Sequence, residues 1–292
     1  MPFPTDQPRV GIIGSAGRYG RWFAGFLAAH RLATDIRGHD PADPDACTAD
    51  ALTDWAEVLV FCVPVAATVT VIGNFAHLAA TRASTQLWVD LSSIKAAPMA
   101  AMLAAGGEVL GLHPMCAPPS GSDLRGQRLV VCEGRLQRWR PWAEAMLAAT
   151  AADCLPLEAQ EHDRRAALVQ GLGHAAHLAQ LLGLVRSGLP LDTLRACATP
   201  TFELDLAIGA RLLAGDPALY AGLLALTPES RAALATLRTA CDELLVLAEG
   251  DDAVARLAAR IDGLRPWVGD AGIHAGEQAY LRSIRALRMP AG

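Results

Sequence analysis

Lysine is almost missing from this chain: a single one, Lys95, stands against 24 arginines in 292 residues. A strong net charge is missing too. Its 25 basic and 30 acidic side chains leave −5, which gives no electrostatic footprint for nucleic acid or an anionic membrane. No uninterrupted apolar run reaches the roughly 18 residues of a spanning helix, and the opening Met-Pro-Phe-Pro-Thr-Asp lacks the basic-then-apolar pattern of an export signal. The seven cysteines, Cys47, Cys62, Cys116, Cys132, Cys154, Cys197 and Cys241, are odd in number and contain no C-x-x-C pair. That excludes a disulfide framework or a cysteine metal site and suits reduced thiols in the cytoplasm. His162, His174 and His177 have no cysteine or carboxylate at a spacing that completes a zinc site. The expected protein is soluble and cytoplasmic, takes a small molecule, and binds neither nucleic acid nor membrane.

What is present is an apolar half, 52% of the residues, distributed in two rhythms. Short runs at Val10–Ile13, Asp35–Gly38, Val58–Val63, Leu87–Leu91, Val109–Leu112 and Leu129–Cys132 alternate with helix-like stretches such as Gly20–Ala29. This argues for a parallel sheet covered by helices. From about Asp153 the alternation stops. Segments at helical spacing take over at Glu161–Leu184, Leu191–Ala214, Pro217–Leu226, Glu229–Ala248 and Asp252–Trp267. The expectation is an α/β domain over 1–152 and an all-α domain over 153–292.

The first strand runs into Gly14-Ser15-Ala16-Gly17-Arg18-Tyr19-Gly20 and then into an apolar helix. Glycines at such a turn let the backbone approach a pyrophosphate, which the free amides and dipole of the helix start then hold. The G-x-x-G-x-x-G spacing is one residue longer at its first gap than the usual fingerprint. Asp40, at the end of the second strand and twenty residues beyond Gly20, suits the adenosine ribose hydroxyls and repels a 2′-phosphate. NAD is the cofactor expected. Arg18 and Arg37 argue the other way, because either could pair with that phosphate. Val63 and Pro64, closing the third strand, complete the expected cofactor contacts.

Two further signals lie at strand ends. In a chain that uses arginine everywhere else, Lys95 of Val89-Asp-Leu-Ser-Ser-Ile-Lys95 marks a place needing a compact ammonium. Val109-Leu-Gly-Leu-His113-Pro114 ends a strand in a histidine that the following proline holds extended. An imidazole there can take a proton near neutral pH, and with Ser93 and Lys95 it forms a polar cluster at the ligand edge of the sheet.

With these motifs the chain resembles the prephenate dehydrogenase family, from about Val10 to about Gly269. The carriers are Gly14–Gly20, Val89–Lys95, Leu110-Gly-Leu-His-Pro-Met115, Glu161-His-Asp163 and Arg211-Leu-Leu-Ala-Gly-Asp-Pro-Ala-Leu-Tyr220. The resemblance implies a Rossmann-type N-terminal domain, an all-α C-terminal dimerisation domain and a homodimer. It also implies NAD-dependent oxidative decarboxylation of a cyclohexadiene that becomes aromatic. His113 matches the histidine that takes the proton of the 4-substituent, Ser93 the serine that orients that group, and Arg211 the arginine that receives a substrate carboxylate. His174, in Gln170-Gly-Leu-Gly-His174, matches a pocket histidine; Gln170 and Glu203 are the further substrate-binding candidates.

The chain departs from the enteric members of the family. Gly173 stands where they have arginine, Phe202-Glu203 where they have Tyr-Arg, and Cys116-Ala117 where they have Phe-Gly. The expectation is of a protein with neither an attached chorismate mutase nor a C-terminal regulatory domain. An acidic residue near the pocket favours an amine, so the expectation leans to 4-amino-4-deoxyprephenate, with prephenate or arogenate as the alternative. A hydroxyacid dehydrogenase would place its lysine in the helical half, where this chain has none. A non-catalytic NAD sensor would lose the Ser93, Lys95, His113 and Arg211 set.

Overall fold

The computed structural model describes residues 7–79 and 82–288. Two compact units divide it, Met1–Ala166 and Ala167–Gly292.

The first unit is a seven-stranded sheet: β1 (Arg9–Ile13), β2 (Asp35–His39), β3 (Val58–Phe61), β4 (Leu87–Asp90), β5 (Glu108–Pro114), β6 (Arg128–Glu133) and β7 (Asp153–Pro156). Their order is β2-β1-β3-β4-β5-β6-β7. All neighbours are parallel except β5 and β6. Helices α1 (Arg18–Ala29), α2 (Ala49–Trp55), α3 (Thr68–Leu78), α4 (Ala96–Ala105), α5 (Arg140–Ala149) and α6 (Ala159–Ala166) complete the unit. The central strands β3 and β4 are buried along their whole length, as a parallel sheet covered on both sides requires. Two apolar clusters result, one around Phe23, Phe26, Val60 and Trp142, the other around Phe61, Phe75, Trp88 and Met102. Because β1 is flanked by β2 and β3, the chain reverses direction across the sheet there, and the C-terminal ends of β1 and β3 open the crevice in which such sheets bind ligands.

The expected boundary at 152/153 lies earlier than the observed one. Asp153–Pro156 pairs with Arg128–Val131 as the edge strand, and α6 packs on α4 and β6. A four-residue edge strand with three exposed members has little hydrophobic alternation, so its sequence carries almost no strand signal.

The second unit is helical throughout. It opens with a wide, π-type turn at Ala167–Leu172, followed by α7 (Gly173–Arg186), α8 (Leu191–Arg195), α9 (Pro200–Leu213), α10 (Pro217–Ala225), α11 (Pro228–Leu247), α12 (Ala253–Asp262), α13 (Arg265–Val268) and α14 (Asp270–Arg288). The predicted Leu191–Ala214 helix is broken because Pro200 requires an extended residue before it. Thr199 adopts φ −81°, ψ 158° and its hydroxyl accepts the Phe202 amide. Asp216 and Thr227 cap α10 and α11 in the same way. The predicted Asp252–Trp267 helix likewise ends at Asp262, next to Gly263. Helix α14 lies beyond every stretch the periodicity marks and packs on α9, where Thr201 and Tyr280 hydroxyls meet at 3.0 Å.

Candidate active site

The first strand delivers the glycine turn to the reversal point of the sheet. Gly14 has φ +83°, and a Cβ there would lie 2.5 Å from the Cys62 carbonyl oxygen; a Cβ at Gly20 would overlap the Gly14 carbonyl. Only glycine lets the turn lie this close to β3 and to the start of α1. The first turn of α1 has neither a capping side chain nor an acidic residue, so its amides and its positive dipole end are available to an anion. These features fit a dinucleotide pyrophosphate.

Asp40 stands just past β2 but is not idle. Its carboxylate accepts the Ala16 amide at 3.0 Å and the Ala42 amide at 2.9 Å, so it also braces the glycine turn. The Ser15 side chain lies against Gly38, where a Cβ would collide with it. Arg18 is exposed and Tyr19 half-buried, with the Tyr19 hydroxyl donating to the Cys116 carbonyl. Val63 is half-buried and Pro64 exposed just beyond β3. Arg37 stacks on Trp55, 4.2 Å from the ring centre, and pairs with Asp35.

The polar cluster lies at the ends of β4 and β5. Asp90 closes β4, fully buried. Its carboxylate accepts the Ser92 amide at 2.8 Å, the Ser92 hydroxyl at 3.1 Å and the Lys95 ammonium. Lys95 is 0% exposed, and its Nζ also donates to the Asp90 carbonyl at 3.3 Å. The ammonium of Lys95, which is expected to take part in the reaction, is held on Asp90 in a buried pair. Its stem crosses Gly111, where a Cβ would sit 3.2 Å from the Lys95 Cδ. Ser93, by contrast, is half-buried, and its hydroxyl has no partner among the described residues.

His113 is the next-to-last residue of β5, two positions past Gly111, the last partner of β4. Its ring is 3% exposed. Nδ1 lies 2.8 Å from Nε2 of His162, and Nδ1 of His162 lies 2.8 Å from Oδ1 of Asp163. Asp163 also accepts the Lys95 amide at 2.7 Å and the Ala96 amide at 3.0 Å, which ties α6 to the start of α4. Burial, His162 and Lys95 together push the His113 imidazole well below the usual histidine range. Burial alone would raise Asp163, but the His162 hydrogen bond and the Ala96 and Lys95 amides hold its carboxyl below the ordinary value. His162 and Asp163 belong to the Glu-His-Asp motif that supports the family resemblance, but nothing in a helical sequence says that they reach a strand end.

In the helical unit, Gln170 sits in the wide turn with its Oε1 buried and without a partner among the described residues. The His174 ring meets Tyr220 edge-on at 5.2 Å. Burial, with Arg211 and His177 nearby, lowers its pKa. Tyr220 closes the Arg211–Tyr220 motif but is not among the candidate site residues read from the sequence. Arg211 is exposed in the last turn of α9 and Glu203 half-buried in the first, so about 12 Å of helix rise separates them. Gly173 has open space where a Cβ would go, so room is not what keeps a larger side chain out.

The glycine turn on a parallel sheet, with a buried histidine near the end of β5, defines a dehydrogenase of the Rossmann type. No protein-family model matches the chain. The T-protein of Enterobacter agglomerans is 33% identical over 268 residues, which cover 91% of this chain and 69% of that protein. The 4-amino-4-deoxyprephenate dehydrogenase of Streptomyces pristinaespiralis is 30% identical over 249 residues, 77% of this chain and 79% of that one. Among solved structures, prephenate dehydrogenase from A. aeolicus, in complex with hydroxyphenyl propionate and NAD+, has a TM-score of 0.65 at 14% identity, covering 97% of this chain and 99% of that chain, a likeness of fold. The chain belongs to the prephenate dehydrogenase family.

Proposed function

We propose that the protein catalyses NAD-dependent oxidative decarboxylation of a prephenate-type cyclohexadiene, yielding CO2 and an aromatic phenylpyruvate. The observation that carries this reading is His113, a buried imidazole whose Nδ1 is engaged by His162 while Nε2 has no partner among the described residues. A neutral ring so held presents one lone pair to a proton donor. His113 removes the proton of the 4-substituent and Ser93 orients that group. Arg211 receives a carboxylate through its two-pronged guanidinium, and His174 and Gln170 are the further substrate-binding residues that the resemblance implies. The amides at the start of α1 hold the pyrophosphate and Asp40 the ribose hydroxyls. When bound, the nicotinamide supplies the hydride acceptor. Aromatisation provides the driving force, so the side chains orient the substrate and take up its proton.

For the 4-substituent we favour a hydroxyl over the amino group to which the sequence leans. Glu203 motivated that lean, yet it lies more than two helical turns from Arg211, farther than the length of a single cyclohexadiene ring. The T-proteins are also the more identical relatives. The amino substrate stands as a second reading, supported by the Streptomyces relative. NADH formation measured side by side with prephenate, arogenate and 4-amino-4-deoxyprephenate decides between them. Inertness with all three removes the proposal.

The homodimer is part of the same reading. The stretch Ala159–Arg186 is long and apolar enough to cross a membrane by length and composition alone, and Leu168, Val169, Leu182 and Val185 on it are exposed. A second copy covers such a face at less cost than a bilayer, which would also have to accept Arg164, Arg165 and Asp163. Light scattering without detergent should give about twice the 30.7 kDa chain mass; a monomer at micromolar concentration, or a protein recovered only with detergent, overturns it.

A further inference from the structure

We propose that His162 and Asp163 are positioning residues for His113, forming a relay that fixes its tautomer and draws the transferred proton's charge away from it. This rests on the reading of His113 as the base.

The direction of the hydrogen bonds follows from Asp163. A carboxylate with both oxygens already accepting backbone amides can only accept again, so the proton between Asp163 and His162 sits on Nδ1 of His162. The Nε2 of a neutral His162 is then a lone pair, so the proton in the 2.8 Å contact belongs to Nδ1 of His113. That leaves Nε2 of His113 as the free base. The tautomer of the reacting ring is thus set two residues away, by a carboxylate whose own place is fixed by the first amides of α4.

The relay also answers a difficulty of charge. His113 is 3% exposed and His162 1%. The groups facing His113 are His162 on α6 and the Lys95 ammonium with its partner Asp90; Cys132 on β6, Glu158 and Asp163 share the same surroundings. An imidazolium at His113 would lie near a second cation in a dry site. When the 4-substituent gives its proton to Nε2, the Nδ1 proton can pass to Nε2 of His162. The bonds broken are O–H (or N–H) at the substrate and Nδ1–H at His113, the bonds formed are Nε2–H at His113 and Nε2–H at His162, and the one added positive charge ends beside the Asp163 carboxylate. No electron leaves the substrate by this route.

Three measurements on the full-length protein test the relay. In the ligand-free protein, nitrogen-15 chemical shifts of the histidine rings should show His113 protonated at Nδ1 and not at Nε2. His162→Gln, which leaves the Asp163 bonds to α4 intact, should lower kcat by about tenfold to a hundredfold with KM changed less than threefold. Asp163→Asn removes the charge that stabilises the protonated pair. It should therefore move the acid limb of the kcat profile to lower pH, as well as lowering the plateau. If Asp163→Asn fails to fold because α4 loses its acceptors, the His162→Gln profile and the ring shifts still decide. His113 protonated at Nε2, or His162→Gln with normal kcat and an unmoved limb, overturns the relay. Absence of turnover by the unaltered protein would remove the proposed function instead, and the ring shifts would test the relay regardless.

Discussion

The two units hold their candidate catalytic and substrate-binding side chains differently. In the first, Asp90, Ser92, Lys95, His113, His162 and Asp163 are buried and bonded to one another or to backbone. In the second, among the described residues, Gln170 has a buried oxygen without a partner, and neither Arg211 nor Glu203 has an ion pair. A preassembled cluster is costly to alter, because removing one member strands another in a dry site. A loosely held set changes cheaply, and its substitutions register in binding. On the proposed function, one unit would therefore carry the reaction in a fixed geometry, and the other would leave substrate choice open to change.

The largest expected effect breaks the preassembled side. Lys95→Met leaves the fully buried Asp90 without its counter-charge, and the first unit should lose about 3–5 kcal/mol of stability, a large share of a typical total of about 5–15 kcal/mol. Chemical denaturation followed by tryptophan fluorescence measures it. A midpoint equal to that of the unaltered protein would show the pair to be dispensable.

Next comes His113→Asn, which should cost at least about a hundredfold in kcat with substrate affinity less affected, the scale of general-base loss. Steady-state kinetics read it, and retention of most of the rate would make His113 a packing residue. On the loosely held side, Arg211→Ala should raise KM by about tenfold to a hundredfold, the worth of one or two charge-assisted hydrogen bonds. Arg211→Lys should recover little, since a point charge cannot replace a planar fork. Its melting temperature should not move, which separates it from Lys95→Met; near-normal KM in both variants takes Arg211 out of the site.

The smallest effect sharpens the cofactor end. Asp40→Ala should erase a preference for NAD+ over NADP+ and weaken both, because the same carboxylate also braces the Ala16 amide. Titrations with the two nucleotides check this. Better binding of NADP+ by the unaltered protein would reverse the assignment.

The same contrast governs what could be read from the residues alone. Period-two and buried strand runs, the glycine turn and the abrupt His-Pro strand end are local patterns, and they located β1 to β6, the cofactor crevice and His113. The edge strand β7 was hidden because its side chains are mostly exposed. Lys95 stood out by its rarity, but rarity does not say which way a side chain points, and burial on Asp90 is a tertiary fact. His162 and Asp163 reach His113 across about fifty residues of chain; no period or spacing links a helix start to a strand end.

The sequestered ammonium has a practical consequence. Since Lys95 is the chain's one ε-amine and no part of it reaches solvent, an amine-directed acylating reagent finds no lysine to modify while the sheet is closed. Labelling at that position would instead count openings around Asp90, making the native chain its own reporter of local unfolding under the site.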